Sequence, residues 1–318
     1  METKIIAVDA GNYDLKFWDG TGNPQAIRSL KFQLPTGRKP LLSNNLNPVL
    51  EVNGSRYHYG HRAYDYRKQD HTVESEKAHS VLPNILACVE PLGSEFVLHI
   101  YTSHPRPEQF SAEIENQLLG DWKYTRNGKT AIAHIESVDV EPEGVGAWRY
   151  GKQKGLIPDQ GLTIVVDLGG GTWLSHLMST EGEILDSTVS ERGGAYSLAS
   201  DISFDQRLRN ALGDQPQPGV IMDGFTQSHC YAGNPSVTWL PYFDEYRKPW
   251  IQGILGKIRN QYQQYLPRVR RFLVTGGSAH LISSQLTALP QFVMTNEPRF
   301  DNVRGLLPTS VSLVATSV

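Results

Sequence analysis

One short pattern occurs twice, and it limits the folds open to this chain more than any other feature. Lys4 to Val8 forms an apolar run that ends at Asp9, turns at Ala10-Gly11-Asn12 and continues as Leu15-Lys16-Phe17-Trp18. In the second half, Leu162-Thr163-Ile164-Val165-Val166 ends at Asp167, passes through Gly169-Gly170-Gly171-Thr172 and continues from Trp173 to Met178. Each copy predicts a buried strand, a tight glycine turn and a second antiparallel strand. The two aspartates lie 158 residues apart, a spacing that fits a duplicated domain and is far too long for a solenoid repeat.

The rest of the 318 residues agrees with two α/β domains. Helices are expected over 75–88, from Pro105 to Leu119, from Glu143 to Lys152, over 197–212 and over about 249–266. Strands are expected over 96–101, 129–140 and 271–274. Leu156 to Gly161 is rich in turn residues, and the domain boundary is placed there: domain I over 1–158 plus about 297–318, domain II over 159–296. The chain opens into a strand without a basic, apolar leader, and no apolar run is long enough to span a bilayer, so a cytoplasmic protein is expected. A net charge of −3 argues against direct nucleic-acid binding. Cys88 and Cys230 fit neither metal-ligand spacing nor a disulfide framework, and two reduced, buried thiols are expected.

Taken singly, the glycine turns are open to structural readings. Asp9-Ala10-Gly11-Asn12 could be a plain hairpin. Three glycines after a buried strand leave backbone N–H groups unshielded, as an anion-binding turn needs, although a tight turn has the same look. A third turn, Thr275-Gly276-Gly277-Ser278-Ala279, follows the strand Arg271 to Val274. Its Ser278 suits either a ligand-binding helix start or an ordinary cap. Neither the dinucleotide fingerprint nor the lysine-bearing phosphate loop fits these segments.

In this order, Val8-Asp9-Ala10-Gly11-Asn12, Val166-Asp167-Leu168-Gly169-Gly170-Gly171-Thr172 and Val274-Thr275-Gly276-Gly277-Ser278-Ala279 resemble the phosphate-1, phosphate-2 and adenosine motifs of the actin, sugar-kinase and heat-shock-chaperone ATPases. The resemblance is nearest to bacterial plasmid-segregating actins of the ParM type and to archaeal actin-like proteins. It covers most of the chain in layout and about 30 residues in motif. Lys16, seven residues after Asp9, matches the lysine that reaches ATP phosphates. Val140-Glu141-Pro142-Glu143-Gly144 is similar to the connecting segment that holds a catalytic acid. Asn296-Glu297-Pro298 to Gly305-Leu306 is similar to the ending that returns to the first domain. The sequence departs at Trp173, where a small or acidic residue is usual, and at Asn12, where Ser or Thr is common. An indole at 173 would alter the access of water.

The resemblance implies duplicated ribonuclease-H-like domains with ATP held between them. Asp9 and Asp167 would hold Mg²⁺ largely through water. N–H groups at Gly11, Asn12, Gly170, Gly171 and Thr172, in the Gly169 turn, would clasp the phosphates with Lys16. Glu143, with Glu141 as the rival, would act on the attacking water. Gly276, Gly277 and Ser278 would pack on the adenosine, and Gly194 in the Glu191-Arg192-Gly193-Gly194 turn would lie at its ribose side. The implied function is an ATPase that polymerises with itself and moves DNA through an adaptor protein. A sugar-type kinase and a non-hydrolysing scaffold, with Trp173 blocking hydrolysis, are the alternatives.

Overall fold

A computed structural model describes residues 1–66, 81–227, 229–286 and 289–308. The described chain forms two compact units. One is Met1–Tyr150 with the segment that resumes at Asn302, and the other is Gly151–Asp301.

The first unit contains β1 (Glu2–Ala10), β2 (Asp14–Trp18), β3 (Gln25–Arg28), β4 (Lys31–Gln33), β5 (Val49–Val52) and β6 (Ser55–Tyr59). Helix α1 (Val81–Cys88), β7 (Glu95–His104), α2 (Pro107–Leu118), β8 (Gly120–Arg126), β9 (Lys129–Pro142) and α3 (Val145–Gln153) follow. Its nine strands lie in the order β3-β2-β1-β7-β9-β8-β5-β6-β4. Strand β7 shows why one face is the core: Phe96, Leu98 and Ile100 are buried, while the intervening Val97, His99 and Tyr101 are only half-buried. Ile6, Val8 and Leu15 join the buried set against Ile85 and Leu86 of α1 and Ile114 and Leu118 of α2.

The second unit contains β10 (Leu162–Leu168), β11 (Trp173–Met178), β12 (Ile184–Ser190), α4 (Ala195–Ser203), α5 (Gln206–Leu212), α6 (Pro218–Thr226), α7 (Phe243–Tyr262), β13 (Val269–Thr275), α8 (Ser283–Leu286) and β14 (Phe292–Val293). Its strand order is β12-β11-β10-β13-β14. The last helix, α9 (Asp301–Leu306), carries the chain back into the first unit.

The duplication is visible strand by strand. In both units the Asp-bearing strand pairs antiparallel with its hairpin partner on one side and parallel with a later strand on the other. These are β2-β1-β7 in the first unit and β11-β10-β13 in the second. The outer antiparallel strands β3 and β12 and the outer parallel strands β9 and β14 complete two matching five-strand sets. The first unit adds β8, β5, β6 and β4.

Several elements differ from the sequence expectation. The helix expected over 197–212 is two helices, because Asp205 ends the first and caps the second by accepting from Arg207 N. Helix α7 begins six residues before Pro249 and carries that proline within its span. Strand β8 and helix α6 were not foreseen. Of the helix expected over 75–88, the part from Val81 is present and residues 75–80 lie outside the described residues, as does the tail from 309. Cys88 is buried as expected, and burial pushes its thiol up to about 12. Cys230 is only half-buried. No helix among the described residues is long and apolar enough to cross a membrane.

Candidate functional site

In the first unit, the candidate residues gather at the carboxyl end of β1. Asp9 and Lys16 are cross-strand partners in the β1–β2 hairpin, and Lys16 Nζ donates to Asp9 Oδ2 at 2.9 Å. The turn is closed locally. Gly11 N donates to Asp9 O at 2.9 Å, and Ser29 Oγ donates to Gly11 O. A Cβ on Gly11 would stand 2.7 Å from Asp14 O, so this turn excludes other residues. The Gly11 N–H is thus bonded within the turn. Arg28 stacks its guanidinium 3.1 Å above the Tyr13 ring and donates to Tyr13 O at 3.1 Å, bracing the far side of the loop. Thr102 Oγ1, on neighbouring β7, donates to Val8 O at 2.8 Å just before Asp9.

Glu143 lies at the end of the β9–α3 connection and is 7% exposed. Its N–H donates to His104 O at 3.1 Å, and the next residue, Gly144, has φ +88. The rival acid, Glu141, is engaged elsewhere: Arg149 Nη2 donates to its Oε1 at 2.8 Å. Of the two, Glu143 is the buried one and Glu141 the exposed-side ion-pair partner.

In the second unit, the β10–β11 turn, the Gly194 turn and the β13–α8 turn pack together. Gly169 N donates to Thr172 O at 2.9 Å, which closes the triple-glycine loop. The start of α4 then grips that loop from below. Gly194 N donates to Gly171 O at 3.2 Å, Ala195 N to Gly169 O at 3.1 Å and Tyr196 N to Gly170 O at 2.8 Å. These are the orphan N–H groups of a helix start, satisfied by loop carbonyls. With its carbonyls turned to α4, the loop leaves the Gly170 and Gly171 N–H groups without a backbone acceptor among the described residues. A Cβ on Gly194 would stand 2.7 Å from both Gly169 O and Gly170 O, so no larger residue fits there.

The third turn joins the same cradle. Ser278 N donates to Leu168 O at 2.9 Å, and Ser278 Oγ to Gly169 O at 3.3 Å. Thr275 is the β13 partner of Asp167, and a Cβ on Gly276, at φ +94, would collide with the Asp167 carboxylate and the Leu168 backbone. Gly277 has open space where a Cβ would be. The three glycine turns seen in sequence therefore become two clusters: Asp9, Gly11, Asn12 and Lys16 with Glu143 in the same unit, and Asp167, Gly169 to Thr172, Gly194 and Gly276 to Ser278 in the other.

Trp173 is 1% exposed. Its indole packs beneath the Gly193 turn, within 3.2 Å of where a Gly193 Cβ would be, with Lys257 Nζ 5.8 Å from the ring centroid. It is a core residue under the loop, so no indole surface is presented to obstruct water. The sequence reading missed the α4 clamp and Asn302, whose carboxamide reaches Gly144. Gly305, three residues beyond, was the available signal for the latter, since α3 and α9 touch where Gly146 and Gly305 meet.

Residues 7–146 match the family model for the N-terminal domain of actin-like proteins. No curated protein matches the sequence. Among solved structures, the archaeal actin homologue Ta0583 aligns over 99% of this chain and 100% of its own, with a TM-score of 0.77 and 19% identity. Its complex with ADP aligns over 95% and 97%, with a TM-score of 0.73 and 18% identity. A 15-stranded ParM filament from Clostridium botulinum aligns over 96% and 98%, with a TM-score of 0.74 and 15% identity. The two matching five-strand sets and these alignments define an actin-like fold. Residues 7–146 thus match an actin-like N-terminal domain, and the whole chain shares the fold of these archaeal and ParM structures.

Proposed function

We propose that this protein binds ATP with Mg²⁺, hydrolyses it and assembles with copies of itself into filaments that move DNA in the cytoplasm through an adaptor protein. The observation that carries the reading is the duplicated Asp-ended hairpin, each copy backed by its own tight cradle: Asp9 with Lys16 in one unit, Asp167 with Gly276 and the clamped triple-glycine loop in the other. The ADP complex of an archaeal homologue and the filament of a ParM support the nucleotide and the polymer respectively.

Phosphoryl transfer to water needs positioning and charge compensation more than covalent help. In this reading Lys16 lends a point charge to the phosphates, and the N–H groups of Gly170 and Gly171 donate to phosphate oxygens. Gly276 and Ser278 supply a flat wall for the adenosine. Glu143 takes a proton from the attacking water. No group of three or more metal-binding side chains exists among the described residues. The carboxylates of Asp9 and Asp167 nevertheless suit Mg²⁺, which keeps most of its waters and arrives with the triphosphate. When bound, the ion neutralises charge on the phosphate oxygens.

The test combines phosphate release, fluorescent-nucleotide binding and electron microscopy on the purified chain. Wild type is expected to bind ATP, release phosphate and form filaments. Glu143→Gln is expected to keep binding and filaments while phosphate release falls about 100-fold or more, the loss of an effective general base. A wild type that neither binds ATP nor scatters light at any salt or nucleotide concentration ends this reading.

A further inference from the structure

Asn302 is 4% exposed, and its carboxamide bonds Gly144, the residue after Glu143, and Ser103 on β7. Its Oδ1 accepts the Gly144 N–H at 3.3 Å, and its Nδ2 donates to Ser103 Oγ at 2.8 Å. Ser103 precedes His104, whose carbonyl accepts the Glu143 N–H at 3.1 Å. Two successive N–H groups, those of Glu143 and Gly144, are thus held by two different elements, β7 and α9. The carbonyl of Gly144 accepts Trp148 N at 3.0 Å, the first hydrogen bond of α3. Gly144, at φ +88, needs that fixing, because glycine is the residue freest to leave its conformation.

We propose that Asn302 is a positioning residue for the hydrolytic step: it locks the Gly144 turn and so sets where the Glu143 carboxylate points. The inference rests on the reading of Glu143 as the acid that acts on water. It assigns to the returning C-terminal segment a role in catalysis, where the sequence pattern suggested only a return to the first domain. Asparagine meets both demands without a charge, its oxygen accepting from Gly144 and its nitrogen donating to Ser103. Aspartate can accept from the Gly144 N–H and from the Ser103 hydroxyl but brings a buried charge, and leucine of similar size loses both bonds.

The experiment uses the full chain with Asn302→Asp, Asn302→Leu and Ser103→Ala, alone and combined with Glu143→Gln. Three readouts are taken: the kcat and KM of phosphate release, the Kd of a fluorescent ADP analogue, and amide hydrogen exchange at Gly144 and Val145. Asn302→Leu is expected to lower kcat by about 10-fold or more with Kd changed less than about 3-fold, and to speed exchange at Gly144. Asn302→Asp and Ser103→Ala should fall between it and wild type. In the Glu143→Gln background, Asn302→Leu should lower kcat no further, since a positioning residue has nothing left to position.

A kcat loss that adds fully to that of Glu143→Gln, or a Kd that worsens in step with kcat, overturns the proposal in favour of a purely structural role. Unchanged exchange at Gly144 overturns it as well. If wild type proves to have no phosphate release, the exchange arm still decides whether Asn302 holds the Gly144 turn, while the ATPase reading fails separately. Should Asn302→Leu fail to fold, Ser103→Ala carries the same comparisons, because it removes one hydroxyl and leaves Asn302 in place.

Discussion

Lys16 Nζ lies 2.9 Å from Asp9 Oδ2, with the two side chains only 12% and 8% exposed, so the β1–β2 hairpin holds a largely buried ion pair across its two strands. Such a pair has two separable jobs, and substitutions can tell them apart. Lys16→Met removes a partner of a buried carboxylate, a change that costs about 3–5 kcal/mol at fully buried sites and less here, where solvent still reaches the ammonium. Thermal or urea unfolding should show that loss. The double variant Asp9→Asn with Lys16→Met should regain much of the stability, because neither charge of this pair is left without the other. Nucleotide binding should stay weak in both. Recovery of nucleotide affinity in the double variant would remove Asp9 and Lys16 from the ligand-binding role.

The second-unit cradle makes a sharper demand. Gly276 has φ +94 and its missing Cβ is the space that the Asp167 carboxylate occupies, while Gly194 has no room beside Gly169 O and Gly170 O. Gly276→Ala therefore adds backbone strain of about 1–3 kcal/mol to a direct clash. Gly194→Ala pushes α4 off the loop it grips. Both should lower the urea midpoint and weaken nucleotide binding together. Gly277→Ala, with open space around it, should leave stability within about 1 kcal/mol of wild type. A Gly277 variant as unstable as Gly276→Ala would show that the cradle is read wrongly.

Much of this was legible in the sequence because the relevant signals are local. A buried strand that ends in Asp and turns through glycine is written in about eight consecutive residues, and both copies fold as hairpins at those positions. What could not be read is long-range. The α4 clamp joins Gly169 to Ala195, and the Asn302 bond to Gly144 spans 158 residues. Neither leaves a periodic trace. The Glu141 and Glu143 ambiguity has the same origin: Glu-Pro-Glu gives no reason to prefer either, and only the fold shows Arg149 occupying Glu141. Trp173 read as an intruder because adjacency to Thr172 in sequence was taken for adjacency to the loop's open side. The strand instead turns the indole down into the core.

A further expectation concerns the meeting of α3 and α9. A Cβ on Gly305 would overlap the Gly146 carbonyl, and one on Gly146 would overlap Asn302 O, so the two backbones touch. Close backbone approach of this kind admits only glycine. Gly305→Ala is expected to cost about 1–3 kcal/mol or more, and Gly305→Val to prevent folding of the first unit at 37 °C. Circular dichroism and limited proteolysis would measure both. A Gly305→Val chain with wild-type stability would rule out the contact.

The last prediction concerns pH. His58 is fully buried on β6, and its Nδ1 lies 3.0 Å from the Tyr66 hydroxyl, which also accepts the Leu41 N–H at 2.6 Å. A neutral ring can accept the hydroxyl proton at Nδ1. Charging the ring would place a net charge on a fully buried side chain. Burial, the largest influence, lowers the His58 pKa; Arg62 also lowers it, while a backbone hydrogen bond at Asn47 and the Asp65 charge oppose the shift. An unfolded histidine titrates near about 6.5, so as pH falls through that value the unfolded chain takes up a proton that the folded chain refuses. Stability contributed by neutral His58 is therefore complete above about pH 6.5 and declines below it. His58→Asn, whose Oδ1 can accept from Tyr66 without titrating, should flatten this part of the stability curve between about pH 5 and 7. Urea midpoints measured across that range for both proteins are the check, and parallel slopes would show that His58 is not the group responsible.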